Sequence, residues 1–489
     1  MELTFIGHQS WMVSVGNSHL LIDPIMESSF GYQSIKRIEI YPPRNCEMAL
    51  MPKISAVFLS HEHSDHFHLP TLSQLDKDVP VYVSPIMIQP VVDIIRKLGL
   101  KVIRVPPNEP VTIGNLIFIP YIASHETVLW ESRVTQIYFL EKGIQESAVF
   151  IAVDALLSEK FIEDVNSEKI AYPTILAVSN NAQITPKGVF GSLDNLLTED
   201  SDLKNGPFGL QILYELLVTY TNKVNKIKNI IICGGGFMKG YEGLGPFPFS
   251  DQAVLADIAQ QLTSDINIYG PLPGEKYVIN ENGVEKQTAN WITLNEIRLI
   301  ELKKQRDDFI STRSMITMSS LMAPFDCENE EKLALKRVQK ELDGLSLPLM
   351  LSPLGIEATN IRYYLLGPLD AKRIIIQLIG KNDRIYQYAL DFKKAKFEVV
   401  DTSIDMVSKT YPYGIIVYLR DFDACIRGEL QIWDLAGIAL RSWYVGDKMS
   451  SPVAFLYSYY GEQVHPELAE KCYVRQFNQI QSISKCLSC

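Results

Sequence analysis

The sequence is short of positive charge, of paired cysteines and of long apolar runs. Its 489 residues carry 46 Lys and Arg against 57 Asp and Glu, a formal net charge of −11. A surface that neutralises nucleic-acid phosphates is therefore not expected. No stretch approaches the roughly 20 apolar residues that span a bilayer, and Met1 to Val15 has neither the basic start nor the apolar core of a secretory signal. The seven cysteines are odd in number and scattered, which points to reduced thiols in a cytoplasmic protein rather than a disulfide framework. The terminal C-x-x-C, Cys486 and Cys489, reads as two loose-end thiols, with prenylation at Cys486 or a redox pair as the alternatives. Repeats and low-complexity tracts are missing too, which removes solenoid architectures.

What is present is a globular composition, long enough for two or more hydrophobic cores. Short β-prone runs open the chain: Leu3 to Ile6, Trp11 to Val15 and Leu20 to Ile22, with Gly16-Asn17 as a hairpin turn. Further strands are expected at Ala56 to Leu59, Val79 to Val83, Val102 to Val105, Leu116 to Tyr121, Thr135 to Leu140, Ala148 to Val153, Tyr172 to Val178 and Ile230 to Cys233. Helical patterns interleave at Pro70 to Leu75, Pro90 to Leu98, Leu210 to Thr221 and Leu294 to Ser311. Strands mixed with single helices predict a layered α/β sandwich. Near residues 315–330 the composition shifts to a Lys/Glu-rich helix, followed by strands at Ile361 to Leu366, Arg373 to Ile379 and Ile385 to Leu390. Two domains are expected, 1–320 catalytic and 321–489 a smaller α+β unit.

The chemistry concentrates in His61-Glu62-His63-Ser64-Asp65-His66. Four of the eight histidines lie between His61 and His68. Directly after an apolar strand, His61 and His63 extend toward one side, and the following turn returns Asp65 and His66 toward a second point. Imidazole and carboxylate together suit iron, zinc or manganese. Two strand-end residues fit the same dinuclear site: His125, after Leu116 to Tyr121, and Asp154, after Ala148 to Val153. An acid there can bridge two cations while they lower the pKa of a bound water, so Asp65 and Asp154 are the catalytic candidates. Glu62 and Ser64 alternate with the ligands and should point away. His68 is expected at the rim.

Phe5-Ile6-Gly7-His8-Gln9-Ser10, Leu21-Ile22-Asp23-Pro24, the histidine cluster, His125 and Asp154 together resemble successive motifs of the metallo-β-lactamase superfamily. The resemblance implies an αββα sandwich and two divalent cations. His61, His63, His125 and Asp154 would hold one; Asp65, His66 and Asp154 the other. Asp23 and His8 would orient the ligands from behind. The superfamily usually adds a histidine on a later strand; here none lies between His125 and His465, leaving Asn180, Asn181 or His465 to complete the set.

Within the superfamily the chain is most similar to the catalytic, non-Rieske part of the CMP-N-acetylneuraminate hydroxylase family. That similarity runs through Phe5 to Pro24, Tyr41-Pro42-Pro43, Ser60 to Val83, Asp154, Gly234 to Phe237, Pro271 to Gly274 and Gly428 to Asp434. Ascorbate-phosphate lactonases and N-acylphosphatidylethanolamine phospholipases D resemble the first 155 residues. The hydroxylase resemblance implies an O2-dependent, non-haem di-iron oxygenase of a small molecule. No paired Cys/His spacing for an iron–sulfur centre is present, so electrons would come from a separate electron-transfer protein or the substrate itself. The alternative is a metal-dependent hydrolase of an ester, lactone or phosphodiester, working through a bridging hydroxide. Arg44 and Lys239 read as solvated surface charges, Gly234-Gly235-Gly236 as a tight turn or a substrate-facing loop, and Trp433, Trp443 and Tyr444 as core.

Overall fold

The computed structural model describes residues 1–31, 38–127, 131–179, 220, 222–234, 237–239, 252–261, 263–280, 283–312, 320–360, 372–435, 439–445 and 451–487. Most of the apolar runs become strands. Eight form one sheet, ordered Gly283–Thr288, Glu275–Asn280, Glu2–Gly7, Ser10–Val15, Ser18–Ile22, Ala56–Leu59, Val81–Val83 and Val102–Arg104. Seven form a second: Val111–Ile113, Leu116–Ile122, Thr135–Glu141, Ile144–Ile151, Ile175–Ser179, Asn229–Cys233 and Asn267–Tyr269. Each sheet is antiparallel at one end and parallel at the other.

The sheets face one another across a core that joins Leu3, Phe5, Trp11 and Phe58 to Phe118, Phe139, Val149 and Ile231. Helices cover the outer faces. Leu69–Ser73 and Gln89–Lys97 pack on the first sheet, and Glu159–Asn166 and Gln252–Gln260 on the second. Burial on both faces explains why Ala56–Leu59 is an unbroken apolar run rather than an alternating one. At the sheet edge, Gly283–Thr288 alternates toward charge and is mostly exposed, which discourages edge-to-edge pairing.

Beyond residue 320 a five-stranded sheet runs in the order Lys396–Val399, Ile385–Asp391, Ile374–Ile379, Tyr413–Tyr418 and Leu440–Trp443. Helix Glu328–Leu351 turns Ala334, Val338, Leu342, Leu345 and Leu349 into this sheet's own core, at the three-to-four spacing of one helical face. The last helix, Pro466–Leu487, leaves that core. It lies along Gln89–Lys97 and Leu69–Ser73 and adds Ala469, Tyr473 and Ile480 to the outer layer of the first sheet.

One sequence expectation is overturned and two fall outside the described residues. Arg44 is buried rather than solvated: its guanidinium donates to the carbonyls of Ile6, Ile25 and Glu27 at 2.8, 2.7 and 3.1 Å and ties the first strand to the loop after Asp23. The helix read at Leu210 to Thr221 lies almost wholly outside the described residues, and the strand at Ile361 to Leu366 entirely so. Trp443 is core as expected, donating from Nε1 to the Tyr411 carbonyl at 2.7 Å.

Candidate metal centre

Parallel pairing of Ser18–Ile22 with Ala56–Leu59 sets the site's base, because it brings the two strand ends side by side. Asp23 continues the ladder through its N–H to the Phe58 carbonyl at 3.0 Å. Its carboxylate then accepts from the Ser60 N–H at 2.7 Å and the Ser60 hydroxyl at 2.5 Å. Past Ser60 the chain turns sharply: the N–H groups of His66 and Phe67 both donate to the His63 carbonyl, at 2.9 and 2.7 Å. That turn swings Asp65 and His66 back beside His61. His68 caps the next helix, its Nδ1 2.8 Å from the Thr71 hydroxyl. Glu62 points away, onto Arg133 Nε at 2.5 Å.

His66 is the hub of one half of the cluster. Its Nδ1 lies 2.8 Å from Asp23 Oδ2 and its Nε2 lies 2.7 Å from Asp154 Oδ2 and 3.6 Å from Asp65 Oδ2. Asp65 Oδ2 is also 2.9 Å from His8 Nε2. Asp154 is steadied by Gln9, which donates to Oδ1 at 3.0 Å. A side chain at Gly234, which has φ +84°, would strike Gln9, so this glycine is required by close packing. His8, Asp23 and Val153, the residue before Asp154, all adopt positive φ (55°, 44° and 53°). Such backbone costs of order 1–3 kcal/mol each and persists where the surroundings over-determine it, commonly at functional sites.

The other half is built from His61, His63 and Glu131. Glu131 Oε2 sits 3.6 Å from His61 Nε2 and 3.6 Å from His63 Nδ1. His61 is oriented from behind by the Ser60 hydroxyl, 2.8 Å from its Nδ1. His63 lies flat against Trp433, with ring centroids 4.8 Å apart and planes 1° from parallel.

Charge divides the halves. Burial, reinforced by His66 and His63, holds His61 well below the usual imidazole pKa, and burial takes His63 down to about 4. Burial would lower His66 too, but Asp65 and Asp154 outweigh it and hold the ring protonated above its usual range. For Asp65 the burial penalty is overcome by His66 and His8, so its carboxyl stays ionised. Burial, with the charges of Asp154 and Asp65, pushes Glu131 far above the ordinary carboxylate range.

These residues fit a cation. Three sets of ligand atoms each fall within 4.8 Å of one another: His61, His63 and Glu131; Asp23, His61 and His66; and His8, Asp65 and His66. His61 Nε2, Glu131 Oε2 and Asp65 Oδ1 are buried without a hydrogen-bond partner. Orphaned buried donors and acceptors are costly, and a bound cation satisfies such a set. Residues 2–147 match the family model of the beta-lactamase superfamily domain. The fold is a metallo-β-lactamase-like α/β sandwich with a further C-terminal region.

The cytidine monophosphate-N-acetylneuraminic acid hydroxylase of Xenopus laevis is 28% identical over 112 residues, 22% of this chain and 18% of that protein. The chain thus spans under a fifth of that relative's length. An isothiocyanate hydrolase from Delia radicum gut bacteria aligns over 57% of this chain and 99% of its own, at 16% identity and TM-score 0.39. The diiron β-hydroxylase CmlA of Streptomyces venezuelae aligns over 59% of this chain and 54% of its own, at 15% identity and TM-score 0.38.

Of the expected ligands, His61, His63, Asp65, His66 and Asp154 converge, with Asp23 and His8 behind them. His125 does not join them. Its side chain is 82% exposed, and Nδ1 is 2.8 Å from Glu159 Oε1, so it is held at the surface by the start of the helix Glu159–Asn166. His465 is also elsewhere, its Nδ1 2.8 Å from Glu467. Asn180 and Asn181 lie outside the described residues. Glu131 escaped the sequence reading, and Trp433 reads from the sequence only as core, against which it does pack. An acid just before the strand Thr135–Glu141 looks like a loop residue, and its only signal was its place between His125 and Asp154.

Proposed function

We propose that the chain is a metal-dependent enzyme acting on a small molecule. One cation would be held by His61, His63 and Glu131 and a second by Asp65, His66 and Asp154. The observation that carries this reading is the group of buried, unpartnered ligand atoms on His61, Glu131 and Asp65. Hydrolysis of an ester, lactone or phosphodiester is the leading chemistry, because it needs only water besides the centre itself. When bound, the cations supply a water of lowered pKa and offset charge that develops on a substrate oxygen.

The chain's own residues do the rest. Asp23 fixes the His66 tautomer by accepting a hydrogen bond from its Nδ1–H, which leaves Nε2 for ligation. Gln9 keeps one oxygen of Asp154 occupied and so aims the other at the cluster. Asp65, kept ionised by His66 and His8, is held in place by the His8 imidazole, whose Nε2 lies 2.9 Å from its Oδ2. Glu131 replaces a neutral imidazole by a group that can become anionic.

One observation favours a second reading, O2-dependent hydroxylation with electrons from a separate protein. Three carboxylates beside three imidazoles make an oxygen-rich set that suits iron or manganese as well as zinc. The name of the Xenopus relative points the same way. Metal analysis of protein purified without added metal, followed by turnover assays with and without oxygen, tests both. Anaerobic turnover of a generic ester, lactone or phosphodiester supports hydrolysis. Two irons with oxygen consumption and no anaerobic turnover replace it by the second reading. Activity untouched by chelators removes both.

A further inference from the structure

Among the three imidazoles of the centre, two are oriented by hydrogen bonds from behind. Ser60 Oγ lies 2.8 Å from His61 Nδ1, and Asp23 Oδ2 lies 2.8 Å from His66 Nδ1. Metal-binding histidines almost always need such a partner to fix ring plane and tautomer. Among the described residues, His63 has no hydrogen bond to its ring. Its plane is set instead by the indole of Trp433, parallel within 1° at 4.8 Å, inside the range of offset ring stacking.

The indole is itself held. Trp433 lies on the short helix Ile432–Asp434, closed by a capping box in which the Gln431 N–H donates to Asp434 Oδ2 at 2.9 Å. Tyr457 flanks it with ring centroids 6.1 Å apart. Nearby, Tyr473 from the last helix donates to the Glu62 carbonyl at 3.4 Å and meets Phe67 edge-on at 5.2 Å. The ligand loop is therefore gripped from residues more than 360 positions downstream at His63, Glu62 and Phe67.

We propose that Trp433 is a positioning residue for His63, taking the part that a hydrogen-bond acceptor plays for the other two imidazoles. The stack holds the ring so that Nδ1 faces Glu131, and the C-terminal region thereby tunes one of the two cation positions. The inference rests on the metal centre assigned above.

The test titrates Zn2+ into the metal-free full-length chain against a chromophoric chelator that resolves two equivalents. Trp433→Leu keeps apolar bulk and removes the stacking face; it weakens one equivalent by about 10- to 100-fold, the cost typical of losing an orienting partner. His63→Ala weakens that same equivalent, and adding Trp433→Leu to it changes nothing more. Trp433→Phe, which retains a ring, recovers most of the affinity. Should Trp433→Leu fail to fold by circular dichroism, Trp433→Met makes the same comparison with a more adaptable side chain. Wild-type affinity in the Leu or Met variant overturns the proposal, as does equal weakening of both equivalents, or further loss on the His63→Ala background. Wild-type protein that binds no Zn2+ overturns the assigned centre and this inference with it. Two equivalents indifferent to Trp433 overturn the inference alone.

Discussion

The halves of the cluster share one short loop and differ in how they meet their surroundings. Around His66 the groups close on each other: Asp23 and Asp154 take its two nitrogens, and Asp65 takes His8. Around His61 they stop short, with Glu131 Oε2 at 3.6 Å from two imidazole nitrogens and no hydrogen bond of its own. The first half is an ion network that protein groups can stabilise. The second is a set of donors that the fold holds together against their burial cost.

The largest effect that would sharpen this contrast is on stability without metal. His66→Ala leaves Asp23, Asp65 and Asp154 without their shared partner, so the metal-free chain should lose about 3–5 kcal/mol in urea denaturation. A loss below about 1 kcal/mol would show that the network is not holding the fold. Glu131→Gln should behave in the opposite manner. It removes an acid that burial disfavours, so metal-free stability holds or rises by about 1–2 kcal/mol, while one Zn2+ equivalent is lost in the chelator titration.

Proton release is the next distinction. His66 is held protonated above its usual range, and Glu131 is pushed above the usual carboxylate range. Ligation needs both groups deprotonated, so loading the protein near neutral pH releases protons and metal affinity falls as pH falls. Titration in weak buffer with an indicator dye measures the release. Glu131→Gln should reduce it, and an unchanged release would place the proton elsewhere. The smallest effect belongs to His125→Ala. Metal stoichiometry should stay at the wild-type value and stability within about 0.5 kcal/mol. Loss of an equivalent in that variant would return His125 to the ligand set.

Local pattern accounts for what was legible in the sequence. His61, His63, Asp65 and His66 lie on one loop directly after a strand, so their convergence follows from a single turn. Asp23 and Asp154 end strands whose apolar runs mark their positions, and the layered sandwich follows from the same runs. What stayed hidden depends on long-range packing. Arg44 is buried only because the loop after Asp23 turns carbonyls toward it. Glu131 precedes its strand without any periodicity to mark it. Trp433 lies in the C-terminal region and meets His63 only through the arrangement of the two cores. His125 shows the converse: a strand-end histidine satisfies the pattern, yet the turn that carries it points to Glu159.

The last helix has a consequence for how the protein is made. Tyr473 and the Glu62 carbonyl it touches are separated by 411 residues. At about 5–20 residues per second, a ribosome needs roughly 20–80 s to travel from one to the other. Throughout that interval the nascent ligand loop lacks the side chains that later grip it, and the outer face of the first sheet lacks Ala469, Tyr473 and Ile480. The grip on Glu62 and Phe67 is thus made only after residue 473 has been synthesised, long after the loop itself.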